Sequence, residues 1–249
     1  MEFYGDYHTH TTFSHGRATI AQNAAEAAAK GFKEIAITDH GFRHVTYNVT
    51  RRSVPLMQRQ IAQASARYGV NVLFGMETNI TGRGGIDLKP SDFEFLDVVL
   101  CGYHRFVVPL KPRDLFHFAR VVLFNPKKLI SRNTDLYLSV IEKYDIDVIT
   151  HINYSMLVDC ERVAKACADT GTMLELNGKR INFSDDEFRA MAATGVQFIV
   201  NSDAHSRGKV GDFAAPLELL KRVPIPESQI ANLNKKPIFR SQKKRGNRE

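Results

Sequence analysis

The chain has 249 residues, of which 43% are hydrophobic and 24% are charged, a composition typical of a soluble globular protein. The formal net charge is +7, but residues 235–249 contain seven Lys or Arg and one Glu, so this run carries +6 and the rest of the chain only +1. A basic terminal run is most often a solvated end, so the charge does not favour a nucleic-acid-binding surface along the remainder of the chain.

The cysteine content and the apolar pattern bear on the compartment. Cys101, Cys160 and Cys167 form no CxxC pair, and so sparse and odd a set is typical of a reducing cytosol rather than of a disulfide framework. Asp6 and two histidines fall within the first ten residues, which predicts that there is no secretory leader. No apolar stretch reaches the ~20 residues of a membrane span. We therefore expect a cytoplasmic protein without membrane contact.

Short apolar runs alternate with longer helical stretches in the first half of the chain. A glycine follows each helical stretch, which is typical of a helix C-terminus, and Ser53 is the expected N-cap of the second helix. The segment TGRGG at 81–85 predicts a loop or a hairpin. The strand candidates are residues 3–8, 34–38 and 71–76, and the helix candidates are residues 19–30 and 53–68.

The second half repeats this alternation, which predicts parallel strands covered on both faces. Asn125-Pro126 is expected to interrupt one long helical region. Seven units favour a closed or nearly closed α/β barrel of parallel strands, with an open doubly wound sheet as the alternative. We expect one domain over residues 1–234 and a basic tail at 235–249. The further strand candidates are residues 97–103, 147–150, 172–176 and 197–200, and the helix candidates are residues 113–144, 158–169, 184–193 and 213–222.

Residues that can bind a metal gather at the ends of the strand candidates. The carboxyl ends of barrel strands face one shared mouth, so these side chains are expected to meet there. Imidazole nitrogens with a few carboxylates suit Zn, Mn or Fe, whereas Mg and Ca prefer sites rich in oxygen. Nine ligands are too many for one ion and about right for three. The candidate ligands are His8, His10, His15, His40, Glu77, His104, His151, Asp203 and His205.

Four other residues near these motifs have weaker predictions. Asp6 and Asp39 are expected to hold ligand imidazoles from behind, as carboxylates do at many metal sites. His44 follows the second strand candidate in a loop, where solvent exposure is expected although it could line the mouth. His117 is expected to be a surface or packing residue of a helix.

Seven short motifs occur in order along the chain: DYHTH near the start, ITDHG, GMET, GYH, ITH, LELN and NSDAH at 201–205. They resemble the PHP family, named for polymerase and histidinol phosphatase, and within it the stand-alone bacterial phosphatases of the YcdX type. The resemblance extends from Asp6 to about Asn234 and implies a distorted seven-stranded barrel with a trinuclear site. It assigns one ion to His8, His10, Glu77 and Asp203, a second to Glu77, His104 and His151, and a third to His15, His40 and His205.

The resemblance implies a metal-dependent phosphoesterase that hydrolyses a small phosphate monoester with a metal-activated water. Arg43, Arg105 and Arg207 each follow a metal motif by a few residues, so their guanidinium groups could grip the phosphate. Asp39, or a histidine, could protonate the leaving oxygen. The ITDHG motif departs from the TEH form of dedicated histidinol phosphatases, which disfavours histidinol phosphate as the substrate.

Two other functions are compatible with these motifs. The first is a 3′–5′ exonuclease or a proofreading phosphodiesterase, which would act on nucleic acid. A groove that follows a strand should be lined by Lys, Arg and stacking aromatic residues, whereas here only the tail is basic. The second is a non-catalytic regulator that binds metal, and the complete ligand set argues against it.

Overall fold

The structure is a computed structural model that describes residues 2–47, 49–105, 107–109, 111–124 and 127–240. Seven parallel strands form a nearly closed α/β barrel, and one short antiparallel strand makes a hairpin with the third. The strands are β1 (Gly5–Asp6), β2 (Glu34–Ile37), β3 (Asn71–Gly82), β4 (Gly85–Ile86), β5 (Val98–Gly102), β6 (Val148–Ile149), β7 (Met173–Asn177) and β8 (Phe198–Asn201).

The sheet runs in the order β1-β2-β3-β5-β6-β7-β8, so the parallel strands are neighbours in the order in which they occur along the chain. This order confirms the barrel and excludes the open doubly wound sheet, in which the strand order reverses at a switch point. Beyond the ends of β1 and β8, Thr9 and Ala204 form a parallel bridge that draws the first and last strands together at the carboxyl mouth.

Helices connect the strands, except between β3 and β5, where β4 and a 3-10 helix at Pro90–Glu94 make the connection. The predicted long helical region is two helices that flank Asn125 and Pro126, which lie outside the described residues. The helices are α1 (Ile20–Ala29), α2 (Val54–Tyr68), α3 (Pro112–Phe124), α4 (Ile130–Lys143), α5 (Cys160–Thr170), α6 (Asp185–Ala193) and α7 (Ala214–Arg222).

Side chains cap several of these helices. Thr19 and Ser184 form capping boxes at α1 and α6, each by accepting a hydrogen bond from the backbone three residues on. The predicted cap at Ser53 is wrong, because this residue already has helical dihedral angles and its hydroxyl donates to the carbonyl of Thr50 instead. An N-cap needs an extended backbone to aim its side chain at the first free N–H groups.

The barrel encloses a small apolar core of its own. Strand alternation directs one set of side chains inward, whereas the other set packs against the helices in a larger cluster. Because the inner set closes the barrel floor, the open space lies at the carboxyl end, where the candidate ligands are. The inner set is Tyr7, Ala36, Leu73, Val98, Leu100, Val148, Met173 and Ile199, and Ala231 and Phe239 complete it from the segment after the last strand.

The first part of the predicted basic tail packs against the barrel. The Phe239 ring is fully buried and meets the Tyr7 ring edge-on, with centroids 5.1 Å apart. Arg240 donates a hydrogen bond to the hydroxyl of Thr172, and Lys236 forms an ion pair with Glu34. Residues 241–249 lie outside the described residues, so the boundary between domain and tail stays a prediction.

The described helices are short. None of them combines the length and the apolar composition that a membrane span requires.

Phe239 should stabilise the barrel although it follows the predicted domain. We expect Phe239→Ala to lower the free energy of unfolding by about 3–5 kcal/mol, because it removes a buried ring and leaves a cavity. Ile238→Ala is the matched control, since Ile238 is 67% exposed and its change should stay within about 0.5 kcal/mol. Urea unfolding of both variants measures the difference, and equal values would show that the segment is not part of the core.

Candidate metal centre

The structure brings all nine candidate ligands together at the carboxyl mouth of the barrel. Glu77 belongs to β3 itself, and the others follow strand ends, as sequence analysis predicted. Their role as ligands stays a prediction. His8, His10 and His15 follow β1, His40 follows β2, His104 follows β5, His151 follows β6, and Asp203 and His205 follow β8.

Four donor atoms form what we call the first group: Nε2 of His8, Nε2 of His10, Oε2 of Glu77 and Oδ1 of Asp203. Nε2 of His8 lies 3.1, 3.3 and 3.7 Å from the donor atoms of His10, Glu77 and Asp203. Nε2 of His10 lies 3.5 Å from Oε2 of Glu77 and 3.3 Å from Oδ1 of Asp203. Two ligands of a tetrahedral ion with bonds of about 2.0–2.2 Å lie about 3.3–3.6 Å apart. The five separations are close to this range, so His8 and His10 could share an ion with either carboxylate.

The other oxygen of Glu77 faces a second group, formed with His104 and His151. Oε1 lies 3.1 Å from Nε2 of His104 and 2.8 Å from Nε2 of His151, and these two nitrogens are 3.3 Å apart. Three protein ligands leave a coordination position free, which is typical of catalytic zinc sites and not of structural ones. One carboxylate thus lies between two candidate ion positions.

The third group consists of His10, His15, His40 and His205, whose donor atoms all lie within 4.8 Å of one another. The rings of His15 and His40 stack with centroids 4.8 Å apart. His40 also approaches the first two groups, since its Nδ1 lies 3.0 Å from Oε2 of Glu77. His10 and His40 could therefore each belong to more than one group, which the resemblance to the PHP family did not imply.

Several buried polar atoms at the centre have no hydrogen-bond partner among the described residues. They are Nδ1 of His10, His15 and His40, and Oε2 of Glu77. Nδ1 of His40 and Oε2 of Glu77 are close in distance but lack hydrogen-bond geometry. A buried polar atom without a partner costs free energy, and a bound cation satisfies such atoms. This donor set of nitrogens and carboxylate oxygens fits divalent transition-metal ions.

The two carboxylates of the groups are held in their charged form. Burial works to raise the pKa of Glu77, but the imidazoles of His104 and His8 outweigh it and hold the pKa well below its usual range. The same balance, with His8 and His10 as neighbours, holds the pKa of Asp203 well below its usual range. Both groups are thus available as anionic ligands at neutral pH.

Most of the histidines are held in their neutral form. Burial and neighbouring imidazoles lower the pKa of His15 to about 3, and burial lowers the pKa of His40 to about 4. His8 behaves differently: burial works to lower its pKa, but Glu175 and Glu77 raise it well above the usual value. A cation that binds beside Glu77 would displace the His8 proton, because metal binding requires the deprotonated ligand.

Glu175 fixes the tautomer of His8 from behind. Its Oε1 lies 2.7 Å from Nδ1 of His8 and its Oε2 accepts from the backbone N–H of His151. The pKa of Glu175 is lowered by the adjacent His8, against the effect of burial, so the charged carboxylate can only accept. His8 must then carry its proton on Nδ1 and present Nε2 to the first group.

A similar chain of hydrogen bonds fixes His104. The side-chain amide of Asn79 donates to Asp87, so its carbonyl oxygen faces Nδ1 of His104 at 2.7 Å. His104 therefore donates from Nδ1 and presents Nε2 to Glu77. Sequence analysis did not identify Glu175, Asn79 or Asp87 as parts of the site. Strand alternation could have found the first two, because Glu77 and Asn79 share one face of β3, and Glu175 and Asn177 share one face of β7.

The predicted contacts of Asp6 and Asp39 with ligand imidazoles are not found among the described residues. Both carboxylates bind other groups. Asp6 accepts hydrogen bonds from the backbone and hydroxyl of Ser202 and from the backbone of Gly211. Asp39 accepts from the backbone and hydroxyl of Thr11 at 2.7 and 2.6 Å. Both carboxylates are fully buried, and both order the loops that carry the ligands. The geometry therefore does not support Asp39 as the acid for a leaving group.

A cavity of about 220 Å³, the inner cavity, opens onto all three groups. Two cationic residues at its wall, Lys179 and Arg180, were missed by sequence analysis although they follow β7 directly, as the other site residues follow their strands. Nζ of Lys179 lies 2.7 Å from Nδ1 of His205 and 3.2 Å from Oδ1 of Asp203. The lining is His15, His40, Glu77, His104, His151, Tyr154, Asn177, Lys179, Arg180, Asn182, Asp203 and His205.

The three predicted arginines are in different places. Arg105 lines a neighbouring cavity. Arg43 and Arg207 line neither described cavity: Nε of Arg43 donates to the carbonyl of Val108, and Nε of Arg207 donates to Glu26 on α1. The binding of a phosphate by these arginines stays a prediction.

The expectations for the two remaining histidines have different outcomes. His44 is buried and lines the neighbouring cavity, so the expectation of solvent exposure is wrong. His117 is buried too, and its Nε2 lies 3.0 Å from the side-chain oxygen of Asn133 on α4. It is a packing residue, as predicted.

Gly102 provides the space for two ligand rings. A Cβ atom at this position would overlap the hydroxyl of Thr150 and come within 3.0 Å of Cε1 of His151 and 3.4 Å of Cε1 of His104. The glycine of the GYH motif is thus required by close approach of side chains and not by its backbone angles.

Two candidate ligands have left-handed backbone angles. The φ angle is 25° at His151 and 52° at Asp203, although neither is glycine. Each such conformation costs about 1–3 kcal/mol and persists only where the surroundings fix it. Strain of this kind is concentrated at functional sites, and here it is found directly at the mouth.

Comparison with known proteins agrees with this centre. The family model described as PHP domain matches residues 6–179. A "Probable phosphatase" of Syntrophotalea carbinolica is 33% identical over 239 residues, covering 91% of this chain and 90% of the relative. A "Probable phosphatase" of Shewanella sediminis is 28% identical over 264 residues, covering 100% and 97%.

A solved structure of similar fold is histidinol phosphate phosphatase of Lactococcus lactis, complexed with zinc, L-histidinol and phosphate. Its TM-score is 0.63 at 15% sequence identity, with 90% of this chain and 95% of that chain covered. At this identity the likeness shows the fold alone.

Glu175 should control metal affinity. Its two oxygens accept from four donors, including the amides of Asn177 and Asn201, and a glutamine has only one accepting oxygen. We expect Glu175→Gln to weaken Zn²⁺ binding by about 10–100-fold in calorimetric titration. Glu161→Gln, an exposed change on α5, is the control. Unchanged affinity in a folded Glu175→Gln protein would contradict the assignment.

Lys179 should compete with an ion in the third group, because its ammonium lies against His205 and Asp203. We expect Lys179→Met to tighten the weakest of the titrated ions by about tenfold, the effect of removing one charged hydrogen bond. Arg180→Met is the control, since Arg180 lines the same cavity but has no described contact with His205 or Asp203. Weaker binding in Lys179→Met would instead mean that the ammonium supports the site.

Proposed function

Because this chain belongs to the PHP domain family, we propose that it is a metal-dependent phosphatase that hydrolyses small phosphate monoesters in the inner cavity. Relatives that match almost the whole chain are named probable phosphatases. The observation that carries the proposal is Glu77, whose two oxygens face two different sets of imidazoles. A carboxylate between two cations is the arrangement expected where metal ions act together on one phosphoryl group.

Three groups of ligands would hold up to three divalent transition-metal ions, Zn, Mn or Fe. Bound ions would supply Lewis acidity toward phosphoryl oxygens and a water activated for attack. The residues of the chain would contribute by holding the ligand imidazoles in place. Glu175 and Asn79 hold His8 and His104 in the tautomers that present Nε2 to the centre. Because these imidazoles need no rearrangement, the centre is preorganised for charge that develops on the phosphoryl group.

Lys179 would bind the anionic phosphoryl group from the wall of the inner cavity, beside His205. Its ammonium is also adjacent to Asp203. Charge-assisted hydrogen bonds from such a group are shorter and stronger than neutral ones. Arg43 and Arg207, to which sequence analysis gave the same part, line neither described cavity.

The size of the inner cavity favours a small substrate. At about 220 Å³ it is smaller than the 300–1,000 Å³ typical of pockets for drug-sized ligands. A nucleic-acid strand would need an extended groove with stacking aromatic residues. The inner cavity therefore gives the nuclease hypothesis no support. The regulator reading gains none either, because all nine candidate ligands are present and close together.

The decisive measurement is hydrolysis of phosphate monoesters by the Mn- or Zn-loaded protein. We expect a His8→Ala, His10→Ala variant to lose at least about 1,000-fold in kcat/KM for p-nitrophenyl phosphate, since metal catalysis supplies several kcal/mol. His117→Gln is the control, because that histidine is buried away from the mouth and glutamine can still reach Asn133.

Metal analysis provides an independent check of the same proposal. We expect more than one tightly bound transition-metal ion per chain in the purified protein. Fewer than one ion, or full activity in the double histidine variant, would overturn the proposed function. A screen of sugar phosphates, nucleotides, histidinol phosphate and short oligonucleotides side by side would then separate monoesterase from nuclease activity.

A further inference from the structure

A second cavity of about 370 Å³ adjoins the inner cavity, and we call it the outer cavity. The two cavities share part of their walls, because five residues line both. No carboxylate of the described residues lines the outer cavity, whereas Glu77 and Asp203 line the inner one. The shared residues are His15, His40, His104, Tyr154 and Arg180, and those that line only the outer cavity are His44, Tyr47, Arg105 and Ser155.

Two guanidinium groups give the outer cavity its charge. Neither Arg105 nor Arg180 forms an ion pair with a described carboxylate, in contrast to Arg207, which pairs with Glu26 at 2.9 Å on the surface. His44 adds little charge, since burial lowers its pKa to about 4. The wall is therefore cationic and has no internal counter-ion.

The segment that carries Arg105 is anchored. His44 and Val107 form an antiparallel bridge, and the backbone N–H of Val108 donates to the carbonyl of Arg43 at 3.2 Å. These contacts join the loop after β2 to the loop after β5 along the rim of the mouth. Arg105 is thus two residues from a segment that is joined to the loop after β2.

The other guanidinium is also placed by its neighbours. Arg180 lies 5.9 Å from the ring centroid of Tyr154, and the backbone N–H of Tyr154 donates to the carbonyl of His151 at 3.0 Å. The side chain of Tyr154 is about half exposed, as is that of Tyr47 across the loop after β2. The outer cavity therefore combines two cations with two accessible aromatic rings.

We propose that the outer cavity is a subsite for a second anionic group of the substrate, either a carboxylate or a phosphate. The substrate class is then a phosphate monoester with an acidic group at the end remote from the phosphoryl group. The inference rests on the proposed function, since it places the reacting phosphoryl group in the inner cavity. A guanidinium presents a planar fork of donors that matches either kind of anion.

The two cavities would bind different ends of the substrate because their charges have different sources. Cations bound by Glu77, Asp203 and the imidazoles would attract the phosphoryl group to the inner cavity. Arg105 lines only the outer cavity and has no part in that attraction. Among the described residues its guanidinium has no carboxylate partner, so it is available for a group at the other end of the substrate.

The test compares alkyl monophosphates of increasing chain length that end in a hydroxyl, a carboxylate or a phosphate. We expect kcat/KM at the best length to be about 10- to 100-fold higher for an anionic end than for a hydroxyl end, the effect of charged hydrogen bonds. The carboxylate and phosphate series distinguish the two sources of the anion. Equal values for all three ends at every length would overturn the subsite.

Variants then assign the preference to the arginines. We expect the ratio of kcat/KM for anionic and hydroxyl ends to fall toward one in Arg105→Met and in Arg180→Met. Arg59→Met, an exposed change on α2, should keep the wild-type ratio. Because a ratio is insensitive to general damage, a retained ratio in both arginine variants would contradict the assignment even if total activity fell.

Binding separates this inference from the proposed function. If no ester is hydrolysed, the phosphatase proposal fails, and calorimetric binding of the same compounds to the metal-loaded protein still tests the subsite. Tighter binding of the anionic ends, lost in Arg105→Met, would support the subsite alone. Equal binding of all ends would overturn it whatever the catalytic result.

Discussion

The buried carboxylate of Glu77 is the constraint on which the rest of the site depends. A charged group in the interior is strongly unfavourable unless opposite charge or donors surround it. Here both oxygens are enclosed by imidazoles from β1, β2, β5 and β6, so ligands from distant parts of the chain converge on one side chain. Cations bound at this point would complete the compensation of the Glu77 charge. Ion binding and the placement of the side chains at the mouth therefore depend on each other.

The imidazoles can converge on Glu77 only if each ring is accurately placed. The residues that place them are not candidate metal ligands themselves. Glu175 and Asn79 fix imidazole tautomers, whereas Asp6 and Asp39 tie down the loops that follow the strands. Gly102 is small so that two rings can approach. The cost is visible in the backbone of His151 and Asp203, which is left-handed without glycine. The surrounding hydrogen bonds hold these conformations. A change of backbone angle would leave a buried polar group without its partner, which costs free energy.

The sequence predicts the barrel and the gathering of the candidate ligands at its mouth, because both follow from periodicity. Apolar runs alternate with helices, and ligand types recur where strands end, so the strand order and the nine residues at the mouth could be anticipated. Contacts between side chains far apart in sequence could not. Nothing in the sequence around Arg207 reveals that Glu26 engages it, and nothing around Asp39 reveals that Thr11 occupies its carboxylate. The capping role of Ser53 failed for a similar reason, since it depends on backbone angles.

The docking of Phe239 on Tyr7 has a consequence for the order of folding. Residues 3–7 also pair with the chain near Asn232 through backbone contacts, so the floor of the barrel joins segments more than 220 residues apart. During synthesis at about 5–20 residues per second, the first strand must wait for these late segments before its inner face is covered. Such distant contacts raise the contact order and slow folding, because the loop-closure entropy precedes the gain from packing. The interval leaves the inward face of β1 and β2 open to chaperones or to misassembly.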